Sequence, residues 1–151
     1  MNTVIAIASD HGGRLLKENI ARYLIAKHYP VIDFGVEASD NTSVDYPDYA
    51  SSVAQAIQTG KAHLGVLVCG TGIGMSIAAN KFNGIRAAVV WDRFSSKMAK
   101  AHNNANILCL GERCLKHDIA FDLIEQWLNT EFEGGRHLKR LDKISELENK
   151  R

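Results

Sequence analysis

Several features that mark large classes of protein are missing from this sequence. The 151 residues include three cysteines without a CxxC spacing, which argues against a disulfide scaffold and against a zinc site. Two prolines and the lack of any low-complexity stretch argue against disorder. The longest uncharged stretch, residues 62–80, is interrupted by glycines, a histidine and polar residues, so no membrane-spanning segment is expected.

Charge and the start of the chain exclude further classes. Lys and Arg number 18 against 17 Asp and Glu, a balance that argues against a general nucleic-acid binder. The first apolar run follows no basic stretch and ends at Ser9-Asp10, so no secretory signal peptide is expected. The length suits one domain over residues 1–151, and the expected location, with reduced thiols, is the cytoplasm.

Short apolar runs alternate with segments of helical period along the chain. This alternation predicts βαβ units and therefore a doubly wound α/β fold with a parallel sheet. The predicted strands cover residues 4–8, 30–34, 64–68, 85–90 and 107–110. The predicted helices cover residues 14–27, 46–60, 75–81, 93–101, 117–128 and 136–150.

A glycine-rich segment, CGTGIG at 69–74, follows the third predicted strand. In a parallel sheet of this kind, ligands bind beyond the carboxyl ends of the strands. Glycines at such a point let backbone amides approach an anion next to a helix N-terminus. The segment matches neither GxGxxG, since position 75 is Met75, nor a P-loop, since it lacks the lysine. A tight turn with packing glycines is the alternative interpretation.

Two side chains are candidates for proton transfer. Cys69 ends the third strand directly before the amides and could act as a base or nucleophile, although free cysteines are also common in cores. His102 ends the helix before the fifth strand, where it could serve as an acid or only interact with the helix dipole. Asp10 and His11 follow the first strand at the same predicted edge as Cys69.

Three arginines could bind an anion. Arg136 and Arg140 are four residues apart on one helical face, and Arg113 follows the fifth strand; a solvated basic face is the alternative. The other side of residues 136–150 is apolar, which favours contact with a partner surface. Together these groups fit proton transfer next to a carbonyl in a phosphorylated substrate, and no metal-ligand cluster is visible.

Five segments carry a resemblance that extends over nearly the whole chain. They are SDHGG near the start, DYPDYA at 45–50, CGTGIGMSIAANKFNGIRA at 69–87, AHNNAN at 101–106 and EGGRHLKR at 133–140. In this combination the sequence resembles the ribose-5-phosphate isomerase B family, which also includes galactose-6-phosphate and allose-6-phosphate isomerases. One branch of that family has a Glu at the position of Met75 and lacks the cysteine, so the chain resembles the cysteine branch.

The resemblance implies an aldose–ketose isomerase that works through a cis-enediolate without a metal or an organic cofactor. It implies a Rossmann-like three-layer α/β/α sandwich with a five-stranded parallel sheet. It also implies a homodimer or a dimer of dimers with sites at the interface, and a C-terminal helix that reaches toward the partner subunit. A small sugar phosphate is the expected partner, and neither nucleic acid nor membrane is expected to bind.

The resemblance also implies roles for individual residues. Cys69 corresponds to the base, His102 to the acid that helps to open the sugar ring, and Thr71 to a group near the reacting hydroxyls. The enediolate oxygen would meet the amides of the segment formed by Gly70, Thr71, Gly72, Ile73 and Gly74. Other substrate contacts correspond to Asp10, His11, Tyr46 and Asn103, and the phosphate contacts to Arg113, Arg136 and Arg140.

Two other functions stay open at this point. A hexose-6-phosphate isomerase of the same family, acting on allose or galactose 6-phosphate, would differ only in pocket depth. A non-catalytic phosphosugar-binding module would need the arginines but not Cys69, Thr71 and His102.

Overall fold

A five-stranded parallel sheet forms the centre of the molecule. The computed structural model describes residues 3–150. The strands are β1 (Ile5–Ser9), β2 (Val31–Asp33), β3 (Leu64–Cys69), β4 (Ala87–Val89) and β5 (Ile107–Gly111). They lie in the order β2-β1-β3-β5-β4, and every pairing is parallel. The α/β fold with a five-stranded parallel sheet is therefore confirmed.

Six α-helices surround the sheet; the first four connect its strands, and the last two follow β5. They are α1 (Arg14–Ala26), α2 (Tyr46–Gln58), α3 (Ile73–Ala79), α4 (Arg93–Ala101), α5 (His117–Leu128) and α6 (Arg136–Glu148). A short 3-10 turn, His11–Gly13, links β1 to α1. None of the helices in residues 3–150 combines the length and the apolar character that a membrane crossing requires.

Two apolar layers hold the helices against the sheet. One core cluster joins α1, α4 and α5 to one face of the sheet, and the second joins α2 and α3 to the other face. Trp127 of α5 is fully buried in the first cluster, and its indole N–H donates to the Ala105 carbonyl at 3.1 Å. The three-layer α/β/α arrangement follows directly from strands that are apolar on both faces.

Local signals in the sequence set several helix ends. Pro47 stands in the first turn of α2, where its missing N–H costs no hydrogen bond. Asp92 and Ser95 form a reciprocal capping box at the start of α4. The carboxylate of Glu112, just after β5, accepts a hydrogen bond from the Leu16 amide at 3.0 Å. It therefore caps the N-terminus of α1, which follows β1, at the same edge of the sheet.

Most predicted boundaries differ from the observed ones by one or two residues at an end, and the fourth strand and third helix differ at both ends by up to two residues. The strand predicted at 85–90 covers only Ala87–Val89, because the Ile85 amide donates to the Phe82 carbonyl in a turn. The helix predicted at 75–81 begins at Ile73 and ends at Ala79. It starts earlier because Gly72, with φ of +80°, completes the turn out of β3 within three residues.

The buried indole of Trp127 gives a test of the core. We expect Trp127→Phe to lower the free energy of unfolding by about 2 kcal/mol, because the smaller ring leaves a cavity and the Ala105 carbonyl loses its donor. Trp91→Phe is the matched control, since Trp91 is 63% exposed, and should change stability by no more than about 0.5 kcal/mol. Urea unfolding followed by circular dichroism at one fixed protein concentration measures both; equal losses would contradict this account of the core.

Candidate active site

The carboxyl ends of β1 and β3 meet at the point where the strand order reverses. From β1 the chain passes to β2 on one side, and from β3 onward it builds the other side of the sheet. The register pairs Ser9 with Val68, so Asp10 and Cys69 leave the sheet side by side. Crevices at such switch points are the usual ligand sites of open α/β sheets.

The segment after β3 wraps around the sulfur of Cys69. The Gly72 amide donates a hydrogen bond to Cys69 Sγ at 3.0 Å, and the cysteine side chain is buried. Within residues 3–150, the N–H groups of Gly70, Thr71 and Gly74 donate to no protein acceptor. The site thus combines one amide that faces the sulfur with neighbouring amides that can receive an anionic oxygen.

A guanidinium lies next to these amides. A Cβ placed on Gly70 would come within 3.1 Å of Arg113 Nη1, and one placed on Gly12 within 3.7 Å of Arg113 Nη2. The Arg113 amide is fixed by the Gly70 carbonyl at 3.0 Å. Among the described residues Arg113 makes no ion pair, so its positive charge remains available to an anion at this edge.

Three further side chains line the same edge. The Asp10 carboxylate is 8% exposed and accepts a hydrogen bond from the Gly12 amide at 2.8 Å. His11 Nδ1 lies 3.2 Å from both the amide nitrogen and the carbonyl oxygen of Val44, which ties it to the loop before α2. The Tyr46 ring lies so close to Gly74 that a Cβ there would approach it to 2.7 Å.

The structure places His102 and Asn103 at the opposite edge of the sheet. Both follow α4, which starts beyond the carboxyl end of β4 and returns to the amino end of β5. A five-residue strand separates the two edges by roughly 15 Å. Arg136 and Arg140 belong to α6, whose first turn packs against His102. One chain therefore carries two groups of predicted site residues, and it does not bring Cys69 and His102 together.

His102 lies in a cluster that the sequence analysis missed. Its ring stacks on His137 with centroids 4.1 Å apart and planes within 10° of parallel. Glu133 Oε2 lies 3.6 Å from His102 Nε2 and 3.4 Å from His137 Nε2. The Glu and His four residues apart in EGGRH gave a signal for Glu133 and His137, but nothing in their spacing pointed to His102.

Burial lowers the pKa of His137, whose side chain is only 7% exposed. The positive charges of His102, Arg136 and Arg140 lower it further, and the Glu133 carboxylate opposes them. The influence of both arginines shows that α6 gathers positive charge at this edge. His137 is consequently held in its neutral form near neutral pH.

Comparison with protein families finds one that spans most of the chain. The model described as "Ribose/Galactose Isomerase" matches residues 5–144. Ribose-5-phosphate isomerase B of Escherichia coli is 43% identical over 147 residues, which cover 97% of each chain.

Solved structures are similar over the full length. Ribose-5-phosphate isomerase B of Clostridium thermocellum superimposes with a TM-score of 0.95 at 51% identity, covering 98% of this chain and 99% of the other. Ribose-5-phosphate isomerase B of Mycoplasma genitalium, solved with bound ribulose-5-phosphate, gives 0.90 at 40% identity, covering 100% and 99%.

The surroundings of His137 predict its titration. We expect its imidazole to titrate below the ordinary histidine value of about 6.5, as followed by NMR of the ring protons. Because the folded state disfavours protonation of His137, this group should cost the protein stability as the pH falls below that value.

Glu133→Gln should move the pKa of His137 still lower, because the carboxylate raises it. Glu131→Gln removes an exposed carboxylate from the same loop and serves as the control, with no shift expected. A higher pKa of His137 in Glu133→Gln would contradict the arrangement.

Proposed function

The chain belongs to the ribose/galactose isomerase family and is an aldose–ketose isomerase, and we propose that it interconverts ribose 5-phosphate and ribulose 5-phosphate. The observation that carries this proposal is the buried Cys69 sulfur beside free backbone amides at the switch point. The bound ribulose-5-phosphate in the similar Mycoplasma genitalium enzyme supports the choice of a pentose phosphate.

Cys69 is the proposed base. In the open-chain sugar, the C2 proton passes to the cysteine sulfur, the electrons of that bond form the C1=C2 double bond, and the carbonyl oxygen O1 takes up the negative charge. The thiol then returns this proton to C1 while the O2 hydroxyl proton passes to O1, so that O2 becomes the ketone oxygen and O1 a hydroxyl. The Gly72 amide, 3.0 Å from Sγ, fixes the sulfur and can interact with its charge as a thiolate.

The amides of Gly70, Thr71 and Gly74 are the proposed donors to the enediolate oxygens. They have no internal acceptors among residues 3–150, so no hydrogen bond within the protein has to break when charge develops. One such preorganised donor is worth about 3 kcal/mol of transition-state stabilisation. The Thr71 hydroxyl, which accepts from the Ile73 amide at 3.3 Å, stands beside them.

The remaining proposed functions require a second copy of the chain. His102 would protonate the ring oxygen as the furanose opens, but it lies at the edge opposite Cys69. We infer that each active site takes Cys69, Asp10, His11 and Arg113 from one subunit and His102, Asn103, Arg136 and Arg140 from its partner. Three arginines would then surround the phosphate, whose two negative charges balance most of theirs.

The reaction itself is tested with ribose 5-phosphate in the presence of EDTA. We expect turnover by the wild-type protein and a loss of at least about 1000-fold in kcat for Cys69→Ala, because the base is gone. Cys109→Ala is the control, since this buried thiol lies in the core of β5 and its pKa is raised by burial. Turnover of allose or galactose 6-phosphate, but not of ribose 5-phosphate, would assign the hexose function, and turnover of none would favour the binding module.

Mixing two inactive variants tests the composite site. Cys69→Ala and His102→Ala should each be inactive alone, and subunit exchange between them should restore about a quarter of wild-type activity. Half of the randomly formed dimers are then mixed, and each mixed dimer holds one intact site out of two. A site formed within one chain cannot be repaired by subunit exchange. If verified mixed dimers recover no activity, the shared site is refuted.

A further inference from the structure

Glu133 and the two stacked histidines form a set of nitrogen and oxygen ligands outside the Cys69 edge. His137 Nε2 is buried, lies 3.4 Å from Glu133 Oε2 without the alignment of a hydrogen bond, and has no hydrogen-bond partner among the described residues. One ligand atom from each of His102, Glu133 and His137 lies within 4.8 Å of the others. A buried, unpartnered imidazole nitrogen is unusual enough to require an explanation.

The distances suit a small transition-metal ion. Around a tetrahedral zinc ion with bonds of about 2.1 Å, neighbouring ligand atoms are about 3.4 Å apart. The two separations from Glu133 Oε2, 3.6 and 3.4 Å, already have this value. The two rings must splay from their parallel stack, and His102, which is partly exposed at the end of α4, is the ring in a position to turn.

We propose that His102, Glu133 and His137 bind one Zn²⁺ or a similar divalent transition-metal ion, which inhibits the enzyme by occupying the Nε2 atom of His102. Water or solvent anions would complete the coordination, since three protein ligands leave one position open. The ion is an inhibitor at this site and has no part in the isomerisation.

The charges near the cluster limit the affinity. Glu133 supplies one negative charge, whereas the positive charges of Arg136 and Arg140 lie near enough to lower the pKa of His137. A divalent cation next to two guanidiniums is bound less tightly than in a structural zinc site. We therefore expect a micromolar dissociation constant and reversal by EDTA.

Metal binding is measured on the full-length protein without substrate, by calorimetry with Zn²⁺ and by visible absorption with Co²⁺. We expect one ion per chain for the wild type and at least a tenfold weaker affinity for His137→Gln. Glu133→Gln provides a second variant at an exposed position, where loss of folding is not a concern, and should weaken binding as well. The matched controls Glu131→Gln and His28→Asn remove an exposed carboxylate and an exposed imidazole elsewhere, and should bind like the wild type.

The cobalt spectrum separates this cluster from the cysteines. Tetrahedral cobalt bound by two imidazole nitrogens and by oxygen ligands gives visible absorption bands without a sulfur-to-cobalt charge-transfer band. An intense sulfur-to-cobalt band would place the ion at a cysteine and overturn the proposal. Equal affinity in His137→Gln and the wild type would show that His137 is not a ligand and would overturn it as well.

Inhibition is tested in a separate experiment, because inhibition, unlike metal binding, rests on the proposed function of His102. Micromolar Zn²⁺ should slow ribose 5-phosphate isomerisation by the wild type, and the inhibition constant should rise at least tenfold in Glu133→Gln. Binding without inhibition would retain the metal site and refute its inhibitory role. If the wild type shows no isomerase activity at all, the binding experiment still decides the metal site.

Discussion

The parallel pairing of β1, β3 and β5 is the constraint on which the rest of the candidate active site depends. The pairs Ser9–Val68 and Cys69–Gly111 align the ends of three strands at one edge. A slip of one residue would turn every side chain of a strand to the other face. Cys69 would then leave its layer of the core and Asp10 would lose its place beside it, so the apolar residues that fix the register also fix the chemistry.

The glycines after β3 fit the packing interpretation considered for them. A Cβ on Gly111 would come within 2.7 Å of the Thr71 backbone, and one on Gly72 within 3.0 Å of the Leu110 backbone. The segment therefore packs against the end of β5 as closely as backbones allow. The same loop carries the amides of Gly70, Thr71 and Gly74, which have no acceptor among residues 3–150. The proposed binding of an anionic oxygen would use the same closely packed loop.

The sequence predicted most of the fold because its signals are local. Five apolar runs and six helical periods were visible in the chain, and the sheet edge carrying Asp10 and Cys69 followed from parallel topology. The cluster of His102, Glu133 and His137 was not predictable in this way. It depends on how the Gly134-Gly135 hinge brings the first turn of α6 against the end of α4, where the Glu133 amide donates to the Ala101 carbonyl. No periodicity within one element encodes that contact.

The composition of α6 fits the proposed site shared between two subunits. Arg136 and Arg140 are exposed and like-charged, and they lower the pKa of neighbouring His137, so in an isolated chain their proximity is a cost. Leu138, Ile144 and Leu147 are also exposed on this helix. Both features become favourable if a second copy covers the apolar side and a phosphate dianion sits between the arginines. Under a two-fold axis each copy would complete the other's site, so one interface would create two active sites.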